Sequence, residues 1–412
     1  MRALAIRRSW QEKVTVGHLG GSMKFLFITS RNVINTCGEL RLIKNRALAL
    51  HAQHGVVTDF LVFRSKKCLN KPREPIGGGS TLTEFLFNAK NPFTYLSRRA
   101  ALKKECDRRI ASGEYDVVIL SGMLAFGLAK RIKKRFPEVK LVFDMHGAIE
   151  ELIEFGAGGA KGIAKRILYK LMKGIERRSV PHADGIMAVS HALKDYVITQ
   201  YGAEDKQYFI IPCAQGKAQL CREQIDKNRA IYREKYGIAD DDILFVYSGG
   251  LSAWQCTDQS VELFKAVKAQ IPNAKMLFLT GNTAAVKAKY ADAGVIVDSV
   301  SPDLVNDVLC AGDYAFMIRE PSFTNLVAYP NKFIEYVSSG MKIVATESVA
   351  DVAEQIKRYD VGVILGDNRA EELISAVSRG YTRLADLEAR NALLDDVCFE
   401  NRIIPLVEFA GK

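Results

Sequence analysis

Residues 328–344 read AYPNKFIEYVSSGMKIV, and the fold follows from how this stretch is read. Pro330 suits the opening of a helix, Phe333, Ile334 and Val337 form an apolar stripe, and Gly340 stands where such a helix ends. The preceding residues, DYAFMIRE at 313–320, have the apolar run of a buried strand, and KIVAT at 342–346 is a second. Strand, helix and strand in succession are the unit of a parallel sheet. One residue is out of place. A helix N-terminus carries partial positive charge and unpaired N–H groups, so Lys332 in the first turn is unfavourable unless an anion sits beside it.

Outward from this segment the same unit repeats. ILFVYSGG (243–250), AKMLFLTGN (274–282) and VIVDSV (295–300) are predicted strands, with TDQSVELFKAVKAQIP and SPDLVNDVLCAG as helices. Upstream, MKFLFIT (23–29), VVTDFLVF (56–63), DVVILSG (116–122), KLVFDMHG (140–147), DGIMAVS (184–190) and QYFIIPC (207–213) are strands separated by helical stretches. After the GGGS at 77–80 the pattern predicts only a helix rich in Arg and Lys. Two α/β halves therefore follow one another, predicting an α/β fold of two doubly wound, Rossmann-like domains facing a central cleft. Residues 1–22 are expected to be a poorly ordered extension, 23–215 the first Rossmann-like domain and 216–396 the second. A helix at 397–412 is expected to pack back on the first domain.

Composition narrows the function classes. No apolar run reaches the roughly 18 to 20 residues needed to span a bilayer, and the N-terminus lacks a signal-peptide core, so a cytoplasmic location is expected. The 8 cysteines show no C-x-x-C pair and no metal-ligand spacing, which argues against a disulfide framework or a structural zinc site. Charge is uneven: residues 1–217 hold 37 Lys and Arg against 19 Asp and Glu, while the rest holds 21 against 28. The basic half is expected to meet something anionic and extended. Nucleic acid is not expected, because the basic residues lack aromatic interleaving or a reading motif.

Candidate binding residues gather at strand ends. Lys332 and Glu335 are three apart and share one helix face just beyond the carboxyl end of the strand DYAFMIRE, which carries Arg319. Lys332, Arg319 and the helix N-terminus together suit a phosphate, and Glu335 suits the two hydroxyls of a ribose. The anion predicted for Lys332 is thus a nucleoside diphosphate; a solvated Lys–Glu pair is the plainer alternative. Gly249, Gly250 and Gly281 end strands where backbone could approach a ligand, although tight turns explain them nearly as well. Gly38, in the first strand-to-helix loop, is a weaker candidate. Asp240, Asp241 and Asp242 read as a solvated loop, and no metal is expected.

YPNKFIEYVSSGMKIV is similar to the donor-binding segment of family 4 glycosyltransferases of the GT-B fold, in a form resembling enzymes of bacterial surface polysaccharides. DMHG, ERRSVPHADGIMAVS, IIPC and YSGGLSAWQ agree in order along 24–410. The resemblance implies a retaining, hexosyltransferase-type reaction with a nucleoside diphosphate sugar as substrate and no cofactor. It implies that Glu335 binds the donor ribose and that His146 lies near the donor sugar. The first glutamate of the family's E-x7-E motif is replaced by Val327, with Glu320 or Asn325 as possible substitutes, and the usual Arg and Lys after the first strand of the second domain are absent from GGLSAWQC.

Two other readings stay open: a GT-B epimerase or phosphorylase, and a non-catalytic nucleotide-sugar-binding module. The acceptor is expected to be a glycan or a lipid-linked sugar at an anionic membrane surface, on the inner face of the plasma membrane. In AKGIAKRILYKLMKGIERR, Ile163, Ile167, Leu168, Leu171, Met172 and Ile175 recur at helical spacing among basic residues. A helix covering a sheet shows the same stripe, so core packing is the competing reading.

Overall fold

The computed structural model describes residues 23–32, 38–65, 76–87, 92–155, 159–213, 220–380 and 387–412. The expected extension at 1–22 lies outside them. Among these residues two parallel sheets form. The first contains β1 (Lys24–Asn32), β2 (Val57–Ser65), β3 (Leu82–Phe87), β4 (Val117–Ser121), β5 (Lys140–Met145), β6 (Gly185–Ala188) and β7 (Gln207–Ile210), in the order β3-β2-β1-β4-β5-β6-β7. The second contains β8 (Ile243–Ser248), β9 (Ala274–Leu279), β10 (Ile296–Asp298), β11 (Tyr314–Met317), β12 (Lys342–Thr346) and β13 (Gly362–Leu365), in the order β10-β9-β8-β11-β12-β13. Each pairing is parallel, for example Phe25 beside Val117 and Tyr314 beside both Phe245 and Lys342. Central strands such as VVILS are buried along their whole length, as helices on both faces require.

One strand differs from the sequence reading. Leu82–Phe87 is an edge strand beside β2, where only a helix was expected. Its polar Thr83 and Glu84 and its half-exposed position leave it no continuous apolar run.

In both sheets the strand order reverses beside the first strand, between β1 and β4 and between β8 and β11, and each reversal opens a crevice at the strands' carboxyl ends. Side chains tie the two halves together across the cleft. Ser190 Oγ donates to the Val327 carbonyl at 2.7 Å, and the Asp351 carboxylate accepts from the His191 and Ala192 amides at 2.7 and 3.1 Å. Glu154 accepts from the Phe323 and Thr324 amides at 2.6 and 2.8 Å, and Phe155 packs on Trp254. The C-terminal helix Ile404–Gly411 returns to the first sheet, where Phe409 meets Phe209 and Lys140 Nζ donates to the Ala410 carbonyl at 2.8 Å.

Candidate active site

The opening segment forms the helix Asn331–Ser338, capped by an extended Pro330, with Gly340 at φ 83° just past its end. It follows β11 and lies at the β8/β11 reversal. Its buried face holds Phe333, Ile334, Tyr336 and Val337. The buried Arg390 donates through Nη2 to the Ser338 carbonyl at 2.6 Å, satisfying one of the acceptors a helix C-terminus leaves open.

Lys332 and Arg319 meet at one neutral oxygen. Lys332 Nζ donates to Gln255 Oε1 at 2.6 Å and lies 4.5 Å from the centre of the Tyr247 ring. Arg319, only 2% exposed, donates to Gln255 Oε1 at 2.8 Å and to the carbonyls of Gln255 and Ile318 at 3.1 and 2.9 Å. Neither cation makes an ion pair within 4 Å among the described residues. Burial, and next the neighbouring Arg319, push the Lys332 ammonium well below its usual value, with Glu335 opposing. Burial likewise lowers Arg319. Glu335 stands half-buried one turn on from Lys332.

The β8 end supplies the floor. Gly249 has φ 143°, and a side chain there would meet Lys332 Nζ at 3.0 Å, so this glycine keeps room for the lysine. The Tyr247 hydroxyl donates to the Gly250 carbonyl at 2.8 Å. Gly250 and Gly281 have open space where a Cβ would point. Gly38 is the first residue of the helix Gly38–His54, and the loop before it lies outside the described residues.

The replaced glutamate has a structural explanation. Val327 is fully buried and its carbonyl receives Ser190 from the other half, so this position faces inward rather than into the cleft. Asn325 is buried, with Nδ2 donating to the Glu320 carbonyl at 2.9 Å, which fixes the loop. Glu320 is paired with Arg369 at 2.8 Å.

His146 follows β5 and belongs to a buried charged chain. Its Nε2 lies 2.6 Å from Asp144 Oδ2, and Asp144 Oδ1 accepts from Arg46 at 2.7 Å. Arg46 also donates to the Ile211 carbonyl at 2.6 Å, and its guanidinium lies 5.8 Å from the centre of the Phe399 ring. Burial pulls the imidazole down, but the adjacent Asp144 carboxylate outweighs it and the ring is raised to about 9. Against the burial penalty, His146 and Arg46 hold Asp144 well below the usual carboxylate range.

Gln255, Tyr247, Asp144 and Arg46 were not found from sequence. Gln255 occupies the stretch from which the family's Arg and Lys are missing, a position that could have drawn attention to it. The triple aspartate at 240–242 is a loop, where Asp242 Oδ2 accepts from the Ala239 amide at 2.7 Å and pairs with Lys275 at 2.8 Å.

Residues 45–214 match the model of Glycosyltransferase Family 4. No curated protein matches the sequence. Among solved structures, the chain is similar to sucrose-phosphate synthase from Thermosynechococcus elongatus, with TM-score 0.68 and 13% identity over 94% of this chain and 98% of that one. WaaG, a glycosyltransferase involved in lipopolysaccharide biosynthesis, gives TM-score 0.62 and 15% identity over the same shares, 94% and 98%. Alr3699/HepE of Anabaena, in complex with UDP-glucose, gives 0.59 and 13%, again over 94% and 98%. At such identities the likeness shows a shared fold, the two-domain GT-B arrangement. Residues 45–214 thus match the Glycosyltransferase Family 4 model within a chain of the GT-B fold, and together these findings support a glycosyltransferase.

Proposed function

We propose that the protein is a retaining glycosyltransferase that takes a sugar from a nucleoside diphosphate donor to a glycan or lipid-linked acceptor in cell-surface glycan synthesis. The observation that carries this reading is the pair of cations, Arg319 and Lys332, gathered on one amide oxygen at the β8/β11 crevice. Two such charges without a carboxylate bonded to them suit a diphosphate. Glu335 beside them suits the ribose hydroxyls. As the bond to the sugar breaks, charge grows on the leaving diphosphate, and donors already aimed at it lower the barrier. The acceptor hydroxyl attacks from the face the diphosphate leaves, so no protein nucleophile is needed. In this reading His146, held by Asp144, serves the donor sugar. A solved neighbour that holds UDP-glucose supports a nucleotide sugar as substrate class.

A thermal-shift panel of UDP-, GDP-, ADP- and dTDP-sugars tests the reading: one base class raises the melting temperature, since a ligand bound only by the folded state stabilises it. With that donor alone, no isomerised sugar nucleotide forms; its appearance would favour an epimerase. Catalysis is expected to be independent of divalent metal because the cation pair meets the diphosphate charge. Activity lost in EDTA and restored by Mn²⁺ would contradict this.

The acceptor is presented, in this reading, at an anionic membrane surface on the cytoplasmic side. No helix among the described residues is long and apolar enough to cross a membrane. The helix Gly159–Ser179 has the needed surface character: Ile163, Ile167, Leu168 and Leu171 are 63, 56, 41 and 61% exposed. Core packing therefore does not explain these four, while Met172 and Ile175 are partly buried. Arg166 and Lys170 are exposed beside them and Lys165 is half-exposed. Each such cation near an anionic surface contributes about 1 kcal/mol. Co-sedimentation with vesicles is expected only with anionic lipid, to weaken with salt, and to fall on charge reversal at Lys165, Arg166 and Lys170. Equal binding to neutral vesicles, or none to either, would favour a soluble polyanionic acceptor.

A further inference from the structure

The stretch that follows β5 begins with His146 and ends, at Glu154 and Phe155, against the other half of the molecule. Its short helix Glu151–Glu154 is anchored at the start, where Glu150 accepts from Lys173 Nζ at 2.8 Å and from the Tyr196 hydroxyl at 3.0 Å. At the end, Glu154 Oε1 accepts from the Phe323 amide at 2.6 Å, while Oε2 accepts from the Thr324 amide at 2.8 Å and from the Thr324 hydroxyl. The Tyr196 ring packs on Phe323 with centroids 4.9 Å apart, and Phe155 packs on Trp254 at 5.4 Å.

Both contacted segments adjoin the cation pair. Trp254 precedes Gln255, whose Oε1 receives Arg319 and Lys332, and Phe323 opens the helix Phe323–Leu326 shortly after Arg319. A helix start leaves its first N–H groups without partners in the helix. Here Ser322 Oγ accepts from the Asn325 amide at 3.1 Å, but among the described residues the Phe323 and Thr324 amides meet only Glu154. The loop after Arg319 is thus held from across the cleft. Arg319 and Lys332 themselves take their hydrogen bonds from Tyr247, Gln255 and Ile318, all in the C-terminal half.

Resting on the donor site proposed above, we propose that Glu154 is a positioning residue for the transferred sugar. Its bonds to Phe323 and Thr324 join the stretch that carries His146 to the loop that carries Arg319, the two groups between which that reading puts the sugar. The nucleotide end is held by the C-terminal half alone. The sugar end is held only when Glu154 is seated, with Phe155 against Trp254.

Calorimetric titration of the full chain and of Glu154→Gln with UDP, GDP, ADP and dTDP, and with their hexose conjugates, measures this. Glu154 is exposed, so the variant is expected to fold. Glutamine keeps one acceptor but turns an NH₂ group toward amide donors. The expected result is that the conjugate binds about tenfold more weakly in the variant, the worth of one charge-assisted hydrogen bond, while affinity for the free nucleotide and the melting temperature stay unchanged. Thr324→Val shifts the conjugate in the same direction by less, and adds little on top of Glu154→Gln, because both changes break one contact. A spectroscopic reading needs no ligand. The chain has 2 tryptophans, so Trp10→Phe leaves Trp254 as the single emitter, and its quenching by acrylamide is expected to rise in Glu154→Gln as Phe155 loosens. Unchanged conjugate affinity, or unchanged quenching, overturns the inference and leaves the donor site standing. Equal weakening of conjugate and free nucleotide, or a large drop in melting temperature, makes Glu154 structural and overturns it as well. No binding by any of the four nucleotides overturns the donor site too.

Discussion

Replacing Glu335 by glutamine is expected to lower kcat/KM for the donor by about two orders of magnitude, each charge-assisted hydrogen bond to a ribose hydroxyl being worth about 1.5–3 kcal/mol. A neutral amide keeps the shape and one acceptor oxygen but loses the charge, and its NH₂ group turns a donor toward hydroxyls that need acceptors. The fold should be spared, because the half-buried Glu335 lies beside Phe333, Ile334, Tyr336 and Val337 rather than among them. Steady-state kinetics with the donor chosen by the thermal-shift panel, together with a melting curve, checks both halves. Normal turnover in the variant would remove Glu335 from the donor site. Lost turnover with a large drop in melting temperature would make its role structural.

A second large effect is expected at Asp144, and its size depends on pH. The carboxylate raises His146 to about 9. Asp144→Asn removes it, burial then dominates, and the imidazole falls to its ordinary value or below. On the proposal that the protonated ring is the form that serves the donor sugar, the ratio of variant to wild-type kcat/KM, in which titrations common to both cancel, falls roughly 30-fold at pH 8 and less than about threefold at pH 5.5, from the changed fraction of protonated histidine. Stability follows the same linkage. A raised folded-state value means that the His146 contribution is complete below about 6.5 and is lost as pH rises toward about 9. The variant should also lose about 3–5 kcal/mol of stability, because Arg46 is left buried without its carboxylate. An NMR titration of the His146 ring reports the same change without substrate. Equal loss of activity at both pH values would assign Asp144 to packing alone.

Much of the fold was legible because buried parallel strands leave continuous apolar runs, as in ILFVYSGG and KLVFDMHG, and glycines or prolines punctuate them. LTEFLF at β3 escaped because an edge strand needs no such run. Lys332 could be singled out because a cation in a first helical turn contradicts the helix's own electrostatics. Its partners were not legible: Gln255 is 77 residues away and Tyr247 is 85 away, and only the folding of β8 against β11 brings them together. Arg46 and Asp144 are separated by 98 residues in the same way. The stripe on Gly159–Ser179 was ambiguous, since helical spacing says which residues share a face but not what that face meets. Only the packing shows that four of its aliphatic side chains remain outside.

The central claim is that Arg319 and Lys332 form a diphosphate site. Its most direct test is the dissociation constant of the free nucleoside diphosphate for the unaltered protein and for Lys332→Met at pH 6.5. The site as described predicts saturable binding that weakens about 10- to 100-fold in the variant, the worth of one charge-assisted hydrogen bond, with no loss of melting temperature. Unchanged affinity in a variant that still folds would contradict it.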